Sequence, residues 1–465
     1  MSISARILSS QLASIVGEKY FVADPEQLQA YAVDGNTPAA VVRPGSSEEV
    51  VQTVKFAVAE KLAIVVTGAR TKLGIGLPPG QFDIALDVTR LNRVLAYDPG
   101  DLTLSVEAGI PLCDVQSALA ERGQFLPLAV PFASRTTVGG TILSGVDSPL
   151  RQLYGTARDY ILGLEFVTGE GIAAKSGGRV VKNVTGYDIH KLLAGSLGTL
   201  GVVTVINLRT FPRPSNTRGF FSSFETFDDA LGLRHRIAKS PLTLLSLEIL
   251  SPQAAELISG EAATRIEPSP FTANLFSSKH WTLTASFTGS NDVLARCERE
   301  LREMAESSGA LGAEIIGEEQ ASGLFGQLRE FVPIALESSP ATTIVKMSVL
   351  PSRMADLLKI AVRAVDENGM RWAAMARGLG VIYFALLPTE RTEQTLKKVA
   401  QATSKIFAGC VRLDGNATVP WCPSEWKPAL NIWGPTRGDF ELMRKLKKLF
   451  DPSDVFSPGR FAGGI

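Results

Sequence analysis

The chain has 465 residues, 45% of them hydrophobic and 20% charged, which is ordinary globular usage at a length that calls for at least two domains. That composition argues against disorder and against a membrane class. Lys plus Arg (47) cancel Asp plus Glu (47), so no net charge points to a nucleic-acid partner.

The N-terminal stretch MSISARILSSQLASIVGEKY has neither a continuous apolar core nor a small-residue cleavage site, so no secretory signal is read and a cytoplasmic location is expected. No run approaches the roughly 18 apolar residues that span a bilayer. Direct membrane insertion is therefore not expected, and any membrane association would come through partners. Apolar spacing over 48–61, behind Pro44-Gly45-Ser46-Ser47, predicts a helix feeding a buried strand at 62–67. The segment GARTKLGIG (68–76) follows, then strand-like 84–89 and 102–109 and a helix at about 112–122. Residues 131–214 are glycine-dense, with strands at 160–168 and 201–211 separated by TVGG, SGG and GSLGTLG. Asp188 is a candidate N-cap for a short helix IHKLLAGS.

From residue 218 the texture becomes repeated strand–helix–strand units. The first set is FFSSF, a helix at 226–239, LTLLSLEIL, WTLTASF, a helix at about 290–308, and AEIIG. The second is TTIVKMSVL, a helix at 351–366, GVIYFALLP, a helix at 391–406, and CVRLDG. Such units predict an antiparallel sheet with helices on one face, of split βαβ type. The apolar, glycine-rich tail after a last helix ended by Asp451-Pro452 is expected to dock on the first domain.

A strand ending in a glycine-containing turn points successive backbone N–H groups into one concavity, so residues 67–76 form a candidate phosphate nest to which Arg70 and Lys72 add charge. A tight turn with two solvated cations is the alternative reading. Residues 137–140 and 195–203 supply two more places where missing side chains let the backbone approach a flat or anionic ligand. No Rossmann fingerprint opens a helix, since Gly74-Ile75-Gly76 leads into Leu77-Pro78-Pro79, and no Walker A motif is present. Cys113, Cys297, Cys410 and Cys422 form no CxxC pair, and His190, His235 and His280 stand far apart, so no metal site is expected.

In order and content these segments resemble the FAD-binding domain of the vanillyl-alcohol oxidase and p-cresol methylhydroxylase (PCMH) superfamily. The resemblance is carried by VVRPGSSEEV (41–50), VVTGARTKLGIG (65–76), ALDVTRLNRVLAYDPGDLTLSVEAGI (85–110), TVGGTILSGVDSPLRQLYGTARDYILGLEFVTGEG (137–171) and VVKNVTGYDIHKLLAGSLGTLGVVT (180–204). It implies an α+β fold: a two-subdomain PCMH-type FAD-binding domain (1–214), a ferredoxin-like antiparallel sheet forming a cap or substrate domain (215–420), and a C-terminal segment (421–465) that returns to the first. It also nominates the cofactor-binding residues Gly68, Ala69, Arg70, Thr71, Lys72 and Leu73, then Thr137, Val138, Gly139, Gly140, Gly145 and Gly155, and Gly198, Thr199, Leu200, Gly201, Val202 and Val203. Ala69 and Arg70 depart from the consecutive glycines usual in that loop. Relatives that attach FAD covalently use a histidine or cysteine near these loops; none lies here, so the resemblance implies non-covalent FAD.

Within the superfamily, VVKNVTGYDIHKLLAGSLGTLG and the ending FDPSDVFSPGRFAGGI resemble the FAD-binding accessory subunit of bacterial glycolate oxidase, with Lys182, Asn183, Tyr187 and Asp188 matching. Read structurally, these are a loop, a packed aromatic and a helix cap, and His190 is a packed or solvated side chain. Relatives that oxidise D-2-hydroxy acids alone carry a histidine and acidic cluster in the second domain, whereas His235 and His280 form none. Lys346, Arg371 and Arg377 could hold a carboxylate there. The expected function is the flavin subunit of a glycolate-oxidase-like dehydrogenase complex, relaying electrons between a catalytic flavoprotein and an iron–sulfur subunit, with glycolate or D-lactate as the 2-hydroxy acid. The alternatives are a free-standing FAD-dependent D-2-hydroxy-acid dehydrogenase and a non-catalytic flavin-binding interaction protein.

Overall fold

The computed structural model describes residues 3–180, 186–268, 279–436 and 438–465, with side chains from residue 9 onward. Its N-terminal part holds a small sheet of strands β1 (Phe21–Val22), β2 (Ala40–Val42), β3 (Ile64–Thr67) and β4 (Ile84–Asp87) in the order β1-β2-β4-β3. β2, β4 and β3 run parallel, a pairing that requires a crossover between β2 and β3. The helix Ser47–Glu60 supplies it, burying Val50, Val51, Val54 and Ala57. Ser46 Oγ accepts from Glu49 N, and Lys61 ends the helix in the left-handed region.

A second, antiparallel sheet follows in the order β5-β6-β10-β8-β9, built from β5 (Val94–Asp98), β6 (Thr103–Glu107), β8 (Ile161–Val167), β9 (Ala173–Gly177) and β10 (Val202–Arg209). Two short strands, β7 (Gln124–Phe125) and β11 (Phe211–Pro212), pair beside it. β5 was not expected: Val94 and Leu95 both face solvent, so its apolar residues carry no inward alternation to read.

The remaining strands are β12 (Arg218–Phe224), β13 (Ser246–Leu250), β14 (Trp281–Phe287), β15 (Gly312–Ile316), β16 (Thr343–Ser348), β17 (Arg371–Arg377), β18 (Val381–Leu387) and β19 (Asn416–Trp421). They make one eight-stranded antiparallel sheet, β15-β12-β14-β13-β17-β18-β16-β19. Each half repeats strand–helix–strand–strand–helix–strand, the ferredoxin-like arrangement, and the halves join through their second strands, β13 against β17.

Helices cover both faces of this sheet, not one. Phe227–Lys239, Asn291–Glu306, Met354–Asp366 and Glu393–Arg412 pack on the outer face with Phe220, Phe224, Ile249 and Phe384. Pro252–Ser259, Glu261–Ile266, Glu318–Arg329 and Phe331–Ser338 pack on the inner face, which Ile75, Phe132, Val146 and Leu197 of the N-terminal part also touch. A sheet apolar on both faces needs two covering layers. CVRLDG at 410–415, expected as a strand, is largely the end of the helix Glu393–Arg412, because Ala402, Ile406 and Cys410 keep helical spacing against the sheet. Asp414 then turns left-handed, and β19 begins at Asn416.

The chain end lies along the parallel sheet. Ile64 N donates to Val455 O at 2.7 Å, and Ser457 N to Ile64 O at 2.8 Å. On the helix Phe440–Phe450, buried Lys447 reaches Asp451 Oδ2 (2.7 Å), Phe456 O (2.8 Å) and Thr199 O (3.1 Å), tying that end to the glycine-rich loop. No described helix is long and apolar enough to cross a membrane.

Candidate functional site

β3 ends at Thr67, and the chain turns through 68–76 above the start of the helix Val138–Ser144. The turn and the helix approach so closely that a Cβ at residue 68 would stand 2.5 Å from Thr137 Oγ1, and one at residue 139 would stand 2.7 Å from Ala108 O. Thr137 Oγ1 is already committed as the N-cap acceptor from Gly140 N. The result is a cleft of about 730 Å³, part of it open to solvent, lined by Gly68 to Leu73, Thr137, Gly139, Gly140, Gly198 and Val203 of the nominated residues, together with Val66, Thr136, Leu197 and Arg460. Gly145 lines an adjoining cavity. The other six nominated residues line neither: Val138 and Val202 are core, Gly155 follows the short helix Arg151–Tyr154, and Thr199, Leu200 and Gly201 lie behind the loop.

The two loop cations have different fates. Arg70 lies 3.7 Å from Asp87 Oδ2 and over the Tyr31 ring, so most of its charge is answered. It also takes a left-handed φ of 60°, the conformation that the usual glycines would adopt without cost, and these contacts hold a side chain there at a penalty of roughly 1–2 kcal/mol. Lys72 is buried, donating to Thr136 Oγ1 at 2.7 Å and Thr71 Oγ1 at 3.3 Å. Burial lowers its pKa to about 8, against the pull of Glu330. Glu330, from the second lobe, accepts from Phe132 N (2.7 Å) and Ala133 N (3.1 Å), fixing the loop before Thr136.

Sequence reading missed Lys427 and Arg460. Both lie in segments that look apolar and irregular, where a single cation reads as solvated, yet Lys427 is 1% and Arg460 3% exposed. Arg460 Nη2 donates to Leu73 O and Ile75 O, and Lys427 Nζ to Gly74 O and Gly76 O and to Asp34 Oδ2.

The adjoining cavity, about 750 Å³, shares Ile75, Ser144 and Leu197 with the cleft and opens onto the inner face of the large sheet. Its walls include Gly145, Gly195, Lys346, Tyr383, Thr418, Trp421 and Trp433. The Lys346 ammonium makes no ion pair or hydrogen bond to the described residues and stands 6.0 Å over the Tyr383 ring. Below this floor Arg377 is locked between Asp147 (Nε to Oδ2, 2.9 Å) and Glu248, so it is not free to hold a ligand, and Arg371 lines a surface groove at the sheet's far end.

Of the remaining residues singled out earlier, His190 is packed: its backbone N donates to Ser176 Oγ, its ring Nδ1 lies 3.0 Å from the same oxygen, and burial lowers its pKa. Asp188 stands at the N-cap position but gives its carboxylate to Lys191 (2.7 Å), and the helix is only Ile189–Leu193. Tyr187, expected packed, is 91% exposed. Lys182 and Asn183 lie outside the described residues. His235 sits on the helix Phe227–Lys239 and His280 3.8 Å from Glu225 Oε1, neither lining a cavity. Among the described residues no group of three or more His, Cys, Asp or Glu could hold a metal ion.

The cleft suits an elongated ligand bearing anionic oxygens: it offers loop amides, Lys72, the buried and unpartnered Thr67 Oγ1, and unpartnered donors on Arg460. Comparison with known proteins agrees. A family model described as an FAD binding domain matches residues 38–176, and one for the C-terminal domain of FAD linked oxidases matches 213–419 and 434–461. Glycolate oxidase subunit GlcD of Bacillus subtilis is 24% identical over 97% of this chain and 96% of its own length. D-2-hydroxyglutarate dehydrogenase of Xanthomonas citri pv. viticola is 27% identical over 98% and 96%. Glycolate oxidase subunit GlcE of Escherichia coli is 37% identical, but over 36% of this chain and 48% of its own. The fold is also that of p-cresol methylhydroxylase, with a TM-score of 0.79 at 17% identity over 99% of this chain and 97% of that one.

Proposed function

Since this chain belongs to the FAD-linked oxidases and is an FAD-binding oxidoreductase, we propose that it holds FAD non-covalently and serves as the flavin subunit of a glycolate-oxidase-like 2-hydroxy-acid dehydrogenase complex. In this reading Gly68 to Leu73, Thr137, Gly139, Gly140 and Gly198 cradle the cofactor, which supplies a two-electron acceptor when bound. In the alternative of a free-standing dehydrogenase, Lys346 would hold the carboxylate of a small 2-hydroxy acid such as glycolate or D-lactate, and Trp421 and Trp433 would limit water access.

The observation that supports a subunit role is the lining of the second cavity. Oxidising a 2-hydroxy acid removes a hydride from C2 and a proton from the hydroxyl, so a base must stand by. Among the described residues that line that cavity, Lys346 and Tyr383 are the titratable side chains, and no carboxylate or imidazole is among them. A catalytic flavoprotein partner would then do the oxidation, and an iron–sulfur subunit would take the electrons onward, in the cytoplasm or at a membrane those partners contact. The alternative, a free-standing D-2-hydroxy-acid dehydrogenase, is favoured by the full-length match to D-2-hydroxyglutarate dehydrogenase. Anaerobic addition of glycolate, D-lactate or D-2-hydroxyglutarate to the purified flavoprotein separates them. Flavin absorbance that persists until partner chains are added supports the subunit, and bleaching by substrate alone overturns it. Acid precipitation should release the flavin into the supernatant.

Two predictions belong to this site. On the free-standing alternative, Lys346→Ala removes one charge-assisted contact to a carboxylate and should weaken 2-hydroxy-acid binding by about tenfold to a hundredfold, roughly 1.5–3 kcal/mol, with FAD content unchanged; flavin-perturbation titration measures it. The Lys72 ammonium loses its proton near pH 8 in the empty cleft, and an anionic ligand favours the protonated form. FAD affinity should therefore be greatest below pH 8 and fall above it, at most about tenfold per pH unit. Fluorescence titration of the flavin-stripped chain from pH 7 to 9.5 should show this slope in the wild type and lose it in Lys72→Met.

A further inference from the structure

Four successive carbonyls of the cofactor loop are taken from behind by two cations of the chain's last forty residues. Arg460 Nη2 donates to Leu73 O at 2.6 Å and Ile75 O at 2.7 Å, while Lys427 Nζ donates to Gly74 O at 2.6 Å and Gly76 O at 2.9 Å. The grip is reciprocal, since Leu77 N donates to Arg460 O, Gly80 N to Pro458 O, and Trp433 Nε1 to Arg460 O.

A guanidinium has five N–H groups in a fixed fork, and the loop carbonyls use only the Nη2 pair. Nε and Nη1 of Arg460 are buried and have no partner, and Arg460 lines the cleft. Burial lowers its pKa to about 10, which still leaves it charged at neutral pH. Buried N–H donors left without an acceptor are costly, so Nε and Nη1 call for one that the cleft's ligand can bring.

We infer that Arg460 is a cofactor-binding residue whose unpartnered Nε or Nη1 donates to an oxygen of FAD, and that FAD occupancy is thereby coupled to the seating of residues 455–461 on the cofactor loop. Coupling of this kind is reciprocal: whatever the seated tail adds to FAD affinity, FAD adds to the seating of the tail. The inference rests on FAD binding alone and is independent of the 2-hydroxy-acid reading, because its test uses no substrate.

Hydrogen–deuterium exchange on the full chain, flavin-stripped and reloaded, reads the coupling through peptides covering 73–80 and 455–461. FAD should slow their exchange at least tenfold. ADP and riboflavin, given singly, locate the oxygen: protection by ADP assigns it to the diphosphate half, and protection by riboflavin to the ring. Arg460→Gln should raise the Kd for FAD at least tenfold and abolish the FAD-dependent slowing. Arg460→Lys guards against misfolding, because a single ammonium standing at the Leu73 and Ile75 carbonyls leaves the Nε and Nη1 positions without a donor; it should keep the apo exchange pattern and lose the response to FAD. An unchanged tail on FAD addition to the wild type, or full protection retained in either variant, overturns the inference.

Discussion

Lys427→Met is expected to destabilise the whole chain by about 3–5 kcal/mol, the cost of leaving one member of a buried ion pair without its partner. Lys427 and Asp34 are 1% and 2% exposed and 2.7 Å apart, and the ammonium also serves two loop carbonyls. Methionine fills the same volume but strands the Asp34 carboxylate and both oxygens. Adding Asp34→Asn should recover part of the loss by removing the stranded charge. The measurement is equilibrium denaturation of the single and double variants, and a single-variant loss below about 1 kcal/mol would show that water reaches the site and the pair is not truly buried. Because Lys427 joins Asp34, the 74–76 loop and the 3₁₀ segment Ser424–Ala429, FAD affinity should fall alongside stability.

The residues that were legible and those that were not differ in kind. The glycine-rich loops could be read because close backbone approach leaves a composition signature, and Gly68 and Gly139 do stand where a Cβ would collide. The two strand–helix repeats could be read because alternation and helical spacing are local. How the repeats join was not legible, since the β13–β17 pairing links residues 248 and 377 and leaves no short-range signal. The inner-face helices were missed for a related reason: Glu318–Arg329 and Phe331–Ser338 follow one another with little punctuation and look like a single irregular linker. Lys427, Arg460 and Glu330 were hidden because a charged residue in sequence reads as solvated, and Arg377, named only as a possible carboxylate holder, is instead locked in a buried ion pair. What buries each of them is a partner more than a hundred positions away, or a carbonyl that no sequence pattern marks.

Arg377 gives the sharpest case. It stands directly opposite Glu248 across β13 and β17 and reaches Asp147 of the N-terminal lobe, so one guanidinium answers two buried carboxylates that would otherwise repel. Asp147 has a second cation, Arg151, at 2.8 Å, but Glu248 has none among the described residues. Burial and Asp147 already raise the Glu248 pKa, and Arg377 is what opposes them. Arg377→Met should therefore cost about 3–5 kcal/mol at neutral pH. A carboxyl whose folded pKa is raised above its unfolded value near 4.3 contributes most below that value and loses the contribution as pH rises through the folded pKa. Removing Arg377 raises the folded value further and extends the window upward, so the deficit should be smaller at pH 5.5 than at pH 7.5. Glu248→Gln in the same chain should flatten that slope and restore part of the stability, because a neutral amide needs no countercharge. Urea unfolding at the two pH values tests both statements. A deficit equal at both, or untouched by Glu248→Gln, would mean that Arg151 and relaxation of the sheet already neutralise the pair and that Arg377 serves mainly to pack against Tyr383, whose ring centre lies 5.3 Å from its Cζ.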